Sequence, residues 1–332
     1  MRILITGGTG FIGRHTVKTA LARGHRVAAL HRPAPPDKQH ILRKLRTWGA
    51  ELHVGELSDT QSLRSAMRGI ESVCHFAAAF RESEAPDDYF IDVNVNGTRN
   101  AMEAAAQQGV RRFVYCSTAG IYGSTVPGVT NEAASVNPQN VYERSKVAAE
   151  KVVRELAKQN GMEYSIVRPA VVYGPHDHRL LKMFKSAAKG RFPLFGPGDG
   201  RRHMVYVGDV ARAAVRAAVL PQAAGQEMII AGPRAAPLRE ILGVLARAVN
   251  RPKCGPQLPL RPMLALAGMT EDLCRRFDVK PPIYRRRMDF YLNDAAFDCS
   301  RASRVLSWLP AIDLEEGFGR TLESYREVGW VQ

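Results

Sequence analysis

A glycine-rich turn near the start of the chain restricts the fold more than any other feature of the sequence. The apolar run Arg2–Thr6 leads directly into TGGTGFIG at residues 6–13, which fits both GxGxxG and GxxGxxG. Such a loop needs glycine for a tight turn, for close approach of the backbone to a pyrophosphate, and for close helix–strand packing. Because the motif lies at a strand–helix junction, it predicts a dinucleotide-binding loop. The loop residues expected to bind the cofactor are Gly7, Gly10, Phe11, Ile12 and Gly13.

Runs of apolar and β-branched residues alternate with helical stretches along the first half of the chain. The predicted strands are Arg2–Thr6, Arg26–Leu30, Glu51–Val54, Ser72–Phe76, Arg112–Cys116 and Tyr164–Arg168. The predicted helices are Phe11–Arg23, Asp88–Gln107, Val141–Asn160 and, near the C-terminus, Asp313–Arg326. Strands that alternate with helices form βαβ units, and strands that are apolar on both faces belong in a covered parallel sheet. The expected fold class is α/β, a Rossmann-type doubly wound parallel sheet with a smaller C-terminal substrate-binding α/β domain.

The character of the sequence changes after Arg168, where proline and glycine become dense. We therefore expect an NAD(P)-binding domain over residues 1–170 and a substrate-binding domain over residues 171–332, partly intercalated with the first. Two short apolar runs, Val205–Val207 and Met228–Ile230, are expected to return to the main sheet.

Charge and cysteine content exclude several classes of protein. The 332 residues carry a net charge of +15, most of it within residues 140–250, yet there is no basic run of five and no helix-turn-helix or zinc-finger spacing. We therefore expect an anionic small ligand and no nucleic acid.

The five cysteines are odd in number and form no CxxC pair, which argues against a disulfide framework and against a metal site. With no run of 18 apolar residues and no signal-peptide pattern, a cytoplasmic location is expected.

The end of the second strand bears on the choice of cofactor. An NAD site usually places an acidic residue there to bind the ribose 2′-hydroxyl. This chain has ALHR at residues 29–32, and the next acid is Asp37. Arg32 suits a 2′-phosphate, with Arg14 and His31 as helpers, so the sequence favours NADP over NAD. The alternative is that Arg32 is a solvated loop residue and that NAD is used.

Tyr142 and Lys146 are four residues apart at the start of a predicted helix, so they share one face. A tyrosine has an ordinary pKa near 10, and a nearby ammonium favours the phenolate and lowers that pKa. Such a pair can move a proton to or from an alcohol oxygen. A YxxxK spacing also occurs by chance in surface helices, so its meaning depends on its surroundings.

Those surroundings point to a known superfamily. They comprise TGGTGFIG at residues 6–13, HFAAA at 75–79, NVNGT at 94–98, FVYCSTAGIYG at 113–123, YERSK at 142–146 and RPAVVYGP at 168–175. In this combination and order the chain resembles, over nearly its whole length, the extended short-chain dehydrogenase/reductase superfamily. That superfamily includes the NAD(P)-dependent epimerase/dehydratase family and the 3β-hydroxysteroid dehydrogenases.

The resemblance implies roles for individual residues. The implied catalytic residues are Tyr142 as acid–base, Lys146, Thr118, and Asn94 as support. The implied cofactor-binding residues beyond the glycine loop are Arg32, Glu56, Leu57, Ala77, Ala78, Ser117, Tyr142, Lys146 and Arg168. The implied substrate-binding residues are Arg202 and Tyr173. Glu56 departs from the family pattern, which commonly has aspartate at that position.

The C-terminal part bears on the substrate. The segments 281–287 and 297–302 resemble the tail of 3β-hydroxysteroid dehydrogenases, and Leu258–Phe277 could form a lid, a peripheral membrane contact or an ordinary packing helix. Arg179, Lys182, Lys185 and Lys189 lie at near-helical spacing, which fits a solvated basic face or a rim that attracts an anionic substrate.

Three functions remain open. The first is an NAD(P)-dependent oxidoreductase that transfers a hydride at a secondary alcohol or ketone, with a sterol-like substrate favoured narrowly. The second is a nucleotide-sugar epimerase or dehydratase with bound NAD(P). The third is a non-catalytic NADPH-binding regulator, which the presence of Tyr142, Lys146 and Thr118 disfavours. The expected partners are a small-molecule substrate and a second copy of the chain in a homodimer.

Overall fold

The structure, a computed structural model, describes residues 1–33, 39–80, 85–123, 128–276 and 291–331. The strands are β1 (Arg2–Thr6), β2 (Arg26–His31), β3 (Glu51–Val54), β4 (Ser72–His75), β5 (Arg112–Cys116), β6 (Glu163–Pro169), β7 (Val171–Tyr173), β8 (Leu194–Phe195), β9 (Arg201–Arg202), β10 (Met204–Tyr206), β11 (Gln226–Ile230), β12 (Ala236–Pro237) and β13 (Gln257–Leu258). The α-helices are α1 (Phe11–Ala22), α2 (Gln39–Thr47), α3 (Thr60–Met67), α4 (Asp87–Ile91), α5 (Gly97–Gln107), α6 (Val141–Asn160), α7 (His178–Ala188), α8 (Val207–Val219), α9 (Leu238–Ala248), α10 (Leu260–Arg276), α11 (Ser300–Leu306) and α12 (Leu314–Glu327).

Seven parallel strands form the central sheet in the order β11-β6-β5-β4-β1-β2-β3. The side chains of β1 show how both faces are covered: Ile3 and Ile5 pack with α1 and α8, whereas Leu4 packs with α3, α5 and α6. All three side chains are fully buried, as a parallel sheet with helices on both sides requires. The predicted α/β fold class, a doubly wound Rossmann-type sheet, is confirmed.

The second half of the chain contributes to this sheet. β11 pairs with β6, with Met228 opposite Val167, and so joins the sheet as predicted. The prediction that Val205–Val207 also returns to the sheet was wrong: β10 pairs with β7 in a separate two-stranded sheet, and Val207 begins α8. The backbone changes partner after β6, since Ala170 N–H donates to Ile230 whereas Val171 N–H donates to His203. The domain boundary at residue 170 stays a prediction.

The helix predicted at Asp88–Gln107 is interrupted. The structure has α4, then a π-helical turn at Asp92–Asn96, then α5. π-Helical turns insert one residue per turn and are frequent at functional sites. Here the turn contains Asn94, which is buried.

A second core stabilises the C-terminal half. Tyr173, Phe184, Phe318 and Tyr325 meet edge to face, with ring centroids 5.2–5.4 Å apart, where β7, α7 and α12 converge. The predicted helix at the C-terminus is present as α12, and the one predicted within Leu258–Phe277 is present as α10. The segment 281–287, which carried part of the steroid-dehydrogenase resemblance, lies outside the described residues.

Candidate active site

A cleft of about 900 Å³ opens at the carboxyl ends of the central strands, where open α/β sheets bind their ligands. It runs from the glycine loop past the ends of β5 and β6 to α7 and α9 in the second half of the chain. Predicted site residues from distant parts of the sequence line this one cleft, namely Gly7, Gly10, Phe11, Ile12, Gly13, Ala78, Ser117, Thr118, Tyr142, Lys146 and Arg202.

The glycine loop has the shape that a pyrophosphate needs. Gly7 has a φ of +66°, and a Cβ there would lie 2.8 Å from the backbone nitrogen of Ala77. A Cβ on Gly13 would overlap the carbonyl oxygen of Gly7. Gly10 N–H donates a 2.8 Å hydrogen bond to that same carbonyl, which closes the turn before α1. The loop therefore tolerates no side chain at Gly7 or Gly13 and leaves its backbone close to the cleft.

The three predicted catalytic side chains come together in the cleft. Tyr142 lies in the first turn of α6, which begins at its N-cap Asn140, and Lys146 lies one turn later and is buried. Thr118 follows β5 with an extended backbone, and its Oγ1 accepts a 3.1 Å hydrogen bond from Gly120 N–H. All three side chains line the same cleft, and the Thr118 hydroxyl, which accepts from Gly120, can still donate its own proton.

The electrostatics of this trio differ from the prediction. Burial raises the pKa of Tyr142 above its ordinary value, and the charge that opposes the shift is that of Arg179. Burial also lowers the pKa of Lys146 to about 8, against the opposing effects of Cys116 and Glu150. The Lys146 ammonium lies 4.3 Å from the centroid of the Tyr115 ring. The net shift in the pKa of Tyr142 is therefore upward, because desolvation of the phenolate outweighs nearby charge, and the tuning of Tyr142 by Lys146 stays a prediction.

Asn94 supports the site from behind and does not line the cleft. Its Oδ1 accepts a 2.7 Å hydrogen bond from Ala79 N–H, and its Nδ2 donates to the Ser145 hydroxyl at 2.9 Å. Ser145 in turn donates to the carbonyl oxygen of Tyr142 at 2.7 Å. Asn94 thus ties the start of α6 to the segment that follows β4.

Small side chains that follow β4 and β5 leave space in which a cofactor would fit. Ser117 is buried at the cleft, and its hydroxyl oxygen has no hydrogen-bond partner among the described residues. Ala78 lines the cleft, and Ala77 lies against Gly7, with its N–H donating to Thr6 Oγ1 at 3.3 Å. A buried hydroxyl without a partner beside small side chains fits a polar ligand that lies across these strands.

The predicted ribose and adenine residues follow β2 and β3 at the same edge of the sheet, outside the cleft lining. Arg32 is exposed immediately after β2, and Glu56 is exposed shortly after β3. Leu57 packs against Gly97, and its carbonyl accepts a 2.8 Å hydrogen bond from Asn100. Arg14 lies at the glycine loop, where its Nε donates a hydrogen bond to the carbonyl oxygen of Gly10. Burial lowers the pKa of the Arg14 guanidinium.

Arg168, predicted to bind the cofactor, does not line the cleft, and other side chains engage its guanidinium. Its side chain is 4% exposed and donates to both carboxylate oxygens of Glu150, at 2.9 and 2.6 Å. It also donates to Glu227 at 2.5 Å and to the Tyr122 hydroxyl at 2.9 Å. Arg154 bridges the same two glutamates, which closes a ring of two arginines and two glutamates. These contacts occupy the Arg168 guanidinium behind the cleft.

Tyr173, predicted to bind the substrate, likewise does not line the cleft. It is buried beneath the cleft and packs edge to face on Phe318. Its hydroxyl donates a 2.9 Å hydrogen bond to the carbonyl oxygen of Asp313 at the N-cap of α12. The tyrosine therefore joins β7 to the C-terminal helix.

The substrate end of the cleft combines two arginines with an apolar wall. Arg202 is nearly buried and donates to the carbonyl oxygens of Arg201 and Asn293, while burial lowers its pKa. Arg179 projects into the cleft from the first turn of α7. The apolar lining consists of Leu180, Met183, Met204, Leu238, Ile241 and Phe297.

Arg179 shares its near-helical spacing with three lysines, but its position in the structure differs from theirs. The structure exposes Lys182, Lys185 and Lys189 on the outer face of α7, whereas Arg179 turns inward. The available signal was Asp177, two residues earlier, which caps the helix and forms an ion pair with Arg179.

Within the described ranges, no helix has the length and apolar character that crossing a bilayer requires. In the same part of the chain, no group of three or more His, Cys, Asp or Glu side chains could hold a metal ion.

A family model identifies the class of protein. The model of the NAD dependent epimerase/dehydratase family matches residues 3–232, and the chain belongs to this family. It is an enzyme, as the reductases, epimerases and dehydratases among its relatives are. The third function weighed above, a non-catalytic regulator, is thereby set aside.

Individual relatives differ in chemistry. The chain is 31% identical over 341 residues to sterol demethylase protein B of Methylococcus capsulatus, with 100% of each chain covered. It is 28% identical over 331 residues to 2-alkyl-3-oxoalkanoate reductase of Stenotrophomonas maltophilia, with 96% of this chain and 98% of the relative covered. A crystal structure of a dTDP-glucose 4,6-dehydratase double mutant from Streptomyces venezuelae with NAD bound matches with a TM-score of 0.79 and 26% identity, covering 100% and 99% of the two chains.

Proposed function

We propose that the protein is an NADP-dependent oxidoreductase that transfers a hydride between the nicotinamide and a secondary alcohol or ketone on an apolar, sterol-like substrate. The observation that carries the proposal is that one cleft joins the glycine loop, the Tyr142–Lys146–Thr118 trio and a largely apolar far wall. Two full-length relatives support the apolar substrate, since one is named for a sterol and the other for an alkyl-substituted ketone.

The residues present fit a nicotinamide dinucleotide. The glycine loop would hold the pyrophosphate, Ser117 and Lys146 would face the nicotinamide half, and the bound nicotinamide would supply or accept the hydride. In the reducing direction, Tyr142 donates its phenolic proton to the carbonyl oxygen, and Thr118 donates a hydrogen bond to the same oxygen. Because burial raises the pKa of Tyr142, the phenol stays protonated at neutral pH, which suits a proton donor. With its pKa lowered to about 8, Lys146 still carries its charge at pH 7.

The preference for NADP rests on the edge of the sheet beside the glycine loop. No acidic residue occurs between residues 29 and 33, at the end of β2. Arg32 is exposed there, and Arg14 places a second guanidinium at the loop. Two cations, with no acidic residue at the end of β2, suit a 2′-phosphate better than a 2′-hydroxyl.

The second candidate is a nucleotide-sugar epimerase or dehydratase with tightly bound cofactor. The specific observation in its favour is that Arg179 and Arg202 both line the cleft, where a nucleotide diphosphate would need cations. Similarity to the dTDP-glucose dehydratase supports the same alternative.

The two candidates are separated by assaying the purified enzyme with a 3-oxosteroid plus NADPH and with UDP-glucose and dTDP-glucose. Absorbance of the purified protein shows whether cofactor is retained, which the epimerase class predicts. For the proposed function we expect turnover of the ketone by wild type and by Arg202→Ala alike. Turnover of a nucleotide sugar that collapses in Arg202→Ala would replace our proposal with the alternative.

Membrane contact, a homodimer and a cytoplasmic location stay proposals. Leu266 and Met269 are exposed on α10, by 43% and 69%, and we propose that this helix touches membrane surfaces. Sedimentation with liposomes tests that contact, light scattering tests the homodimer, and cell fractionation tests the cytoplasmic location.

A further inference from the structure

Arg179 is held rigidly on the wall of the cleft. Its Nε donates to Asp177 Oδ1 at 2.7 Å, and its Nη2 donates to Asp177 Oδ2 at 2.9 Å and to the Val172 carbonyl at 2.6 Å. The Asp177 carboxylate is 1% exposed and also caps α7 by accepting from Arg179 N–H. A bidentate pair of this kind fixes the plane of the guanidinium as well as its position.

The guanidinium faces two aromatic rings that belong to opposite parts of the site. Its central carbon lies 4.9 Å from the centroid of Phe11, the first residue of α1 after the glycine loop. It lies 5.8 Å from the centroid of Phe80, whose ring meets the Tyr142 ring edge to face at 4.7 Å. A cation at these distances is attracted to ring faces. Arg179 therefore lies close both to the ring at the start of α1 and to the aromatic neighbour of Tyr142.

We propose that Arg179, anchored by Asp177, is a positioning residue for the Tyr142 phenol: it holds Phe80 against Tyr142 and keeps a positive charge beside this pair of rings. The inference builds on the proposed function only in assuming that Tyr142 exchanges a proton with the substrate. That assumption is common to the oxidoreductase and to the nucleotide-sugar alternative.

The charged and titratable groups around Tyr142 support this assignment. Burial raises the pKa of Tyr142 most, Cys116 at the end of β5 and Glu143 on α6 raise it further, and Arg179 lowers it. Lys146, on the same helix, has its ammonium over the ring of Tyr115. Removing the Arg179 charge should therefore raise the pKa of Tyr142 further. An opposite charge in contact changes a pKa by about 1–3 units, and a cation acting past an intervening ring should give about 0.5–1 unit.

The first test needs no substrate. Tetranitromethane nitrates phenolates, so the nitration rate of Tyr142 at pH 8, followed by mass spectrometry of its peptide, reports its phenolate fraction. A pKa raised by about 0.5–1 unit lowers that fraction about 3- to 10-fold. We expect this slowing in Arg179→Gln, no change in Lys182→Gln, and a partial recovery of the rate in Arg179→Lys, which keeps the charge but cannot form the bidentate pair with Asp177. Lys182→Gln is the matched control because it removes one exposed positive charge from the same helix.

The second test uses whichever probe the wild type turns over, a 3β-hydroxysteroid with NADP or UDP-glucose. In Arg179→Gln the alkaline-rising limb of kcat should move up by about 0.5–1 pH unit, and Arg179→Lys should reverse part of this shift. Unchanged nitration in Arg179→Gln would overturn the proposal, and so would an equal effect of Lys182→Gln or a failure of lysine to rescue. If no probe is turned over, the proposed function fails, while the nitration rates still decide the role of Arg179.

Discussion

Replacing Arg168 by methionine tests whether this residue belongs to a buried ion network or to the cofactor site. Arg168 and Glu150 are 4% and 2% exposed, and Glu227 is 21% exposed. In Arg168→Met, Glu150 and Glu227 would share only Arg154, which leaves one buried negative charge uncompensated. Removing one partner of a buried ion pair costs about 3–5 kcal/mol of unfolding free energy.

The double variant Arg168→Met, Glu150→Leu tests whether the loss of stability comes from the uncompensated charge. It removes one charge of each sign and keeps the pair between Arg154 and Glu227, whose atoms are 2.5 Å apart. Replacing a whole buried ion pair by apolar residues often leaves the unfolding free energy nearly unchanged. The double variant should therefore recover more than half of the unfolding free energy that Arg168→Met loses. Urea unfolding of wild type, both single variants and the double variant measures the coupling.

NADPH titration of the folded variants completes the experiment. We expect Arg168→Met to bind NADPH within a few-fold of wild type, because Arg168 lies behind the cleft. The reasoning is refuted if Arg168→Met is as stable as wild type. It is also refuted if the loss of unfolding free energy in the double variant equals the sum of the losses in the two single variants. A selective loss of NADPH affinity in a stable Arg168→Met protein would restore the assignment made from the sequence.

Three further predictions concern the cleft itself. Tyr142→Phe should bind NADPH within a few-fold of wild type and lower kcat by about 10²–10⁴, measured by steady-state kinetics, because a general acid is lost; near-normal turnover would contradict this. Arg32→Ala should weaken NADPH binding by about 1.5–3 kcal/mol and leave NADH binding unchanged in fluorescence titrations, whereas equal losses would remove the basis for an NADP preference. Gly13→Ala should abolish NADPH binding because its Cβ would overlap the Gly7 carbonyl, and Gly319→Ala, with open space around it, is the control that should bind normally.

Local sequence patterns predicted much of this fold. The strands Arg2–Thr6, Glu51–Val54 and Arg112–Cys116 and the helix Val141–Asn160 have the bounds expected from apolar runs and capping residues. The glycine spacing and the four-residue step from Tyr142 to Lys146 are also local properties. They determine which backbone positions need glycine and which side chains share a helix face, so they could be interpreted without the rest of the structure.

Tertiary structure decided where the charged side chains act. Arg168 pairs with Glu227, 59 residues further along the chain, and only the pairing of β6 with β11 brings the two together. Arg179 differs from Lys182 in position because the packing of α7 turns one side chain into the cleft and leaves the other in solvent. The pKa of Tyr142 depends on burial created by several distant segments. Spacing along a helix defines a face, but the environment of that face, and hence the charge state and role of each side chain, arises only when remote elements pack against it.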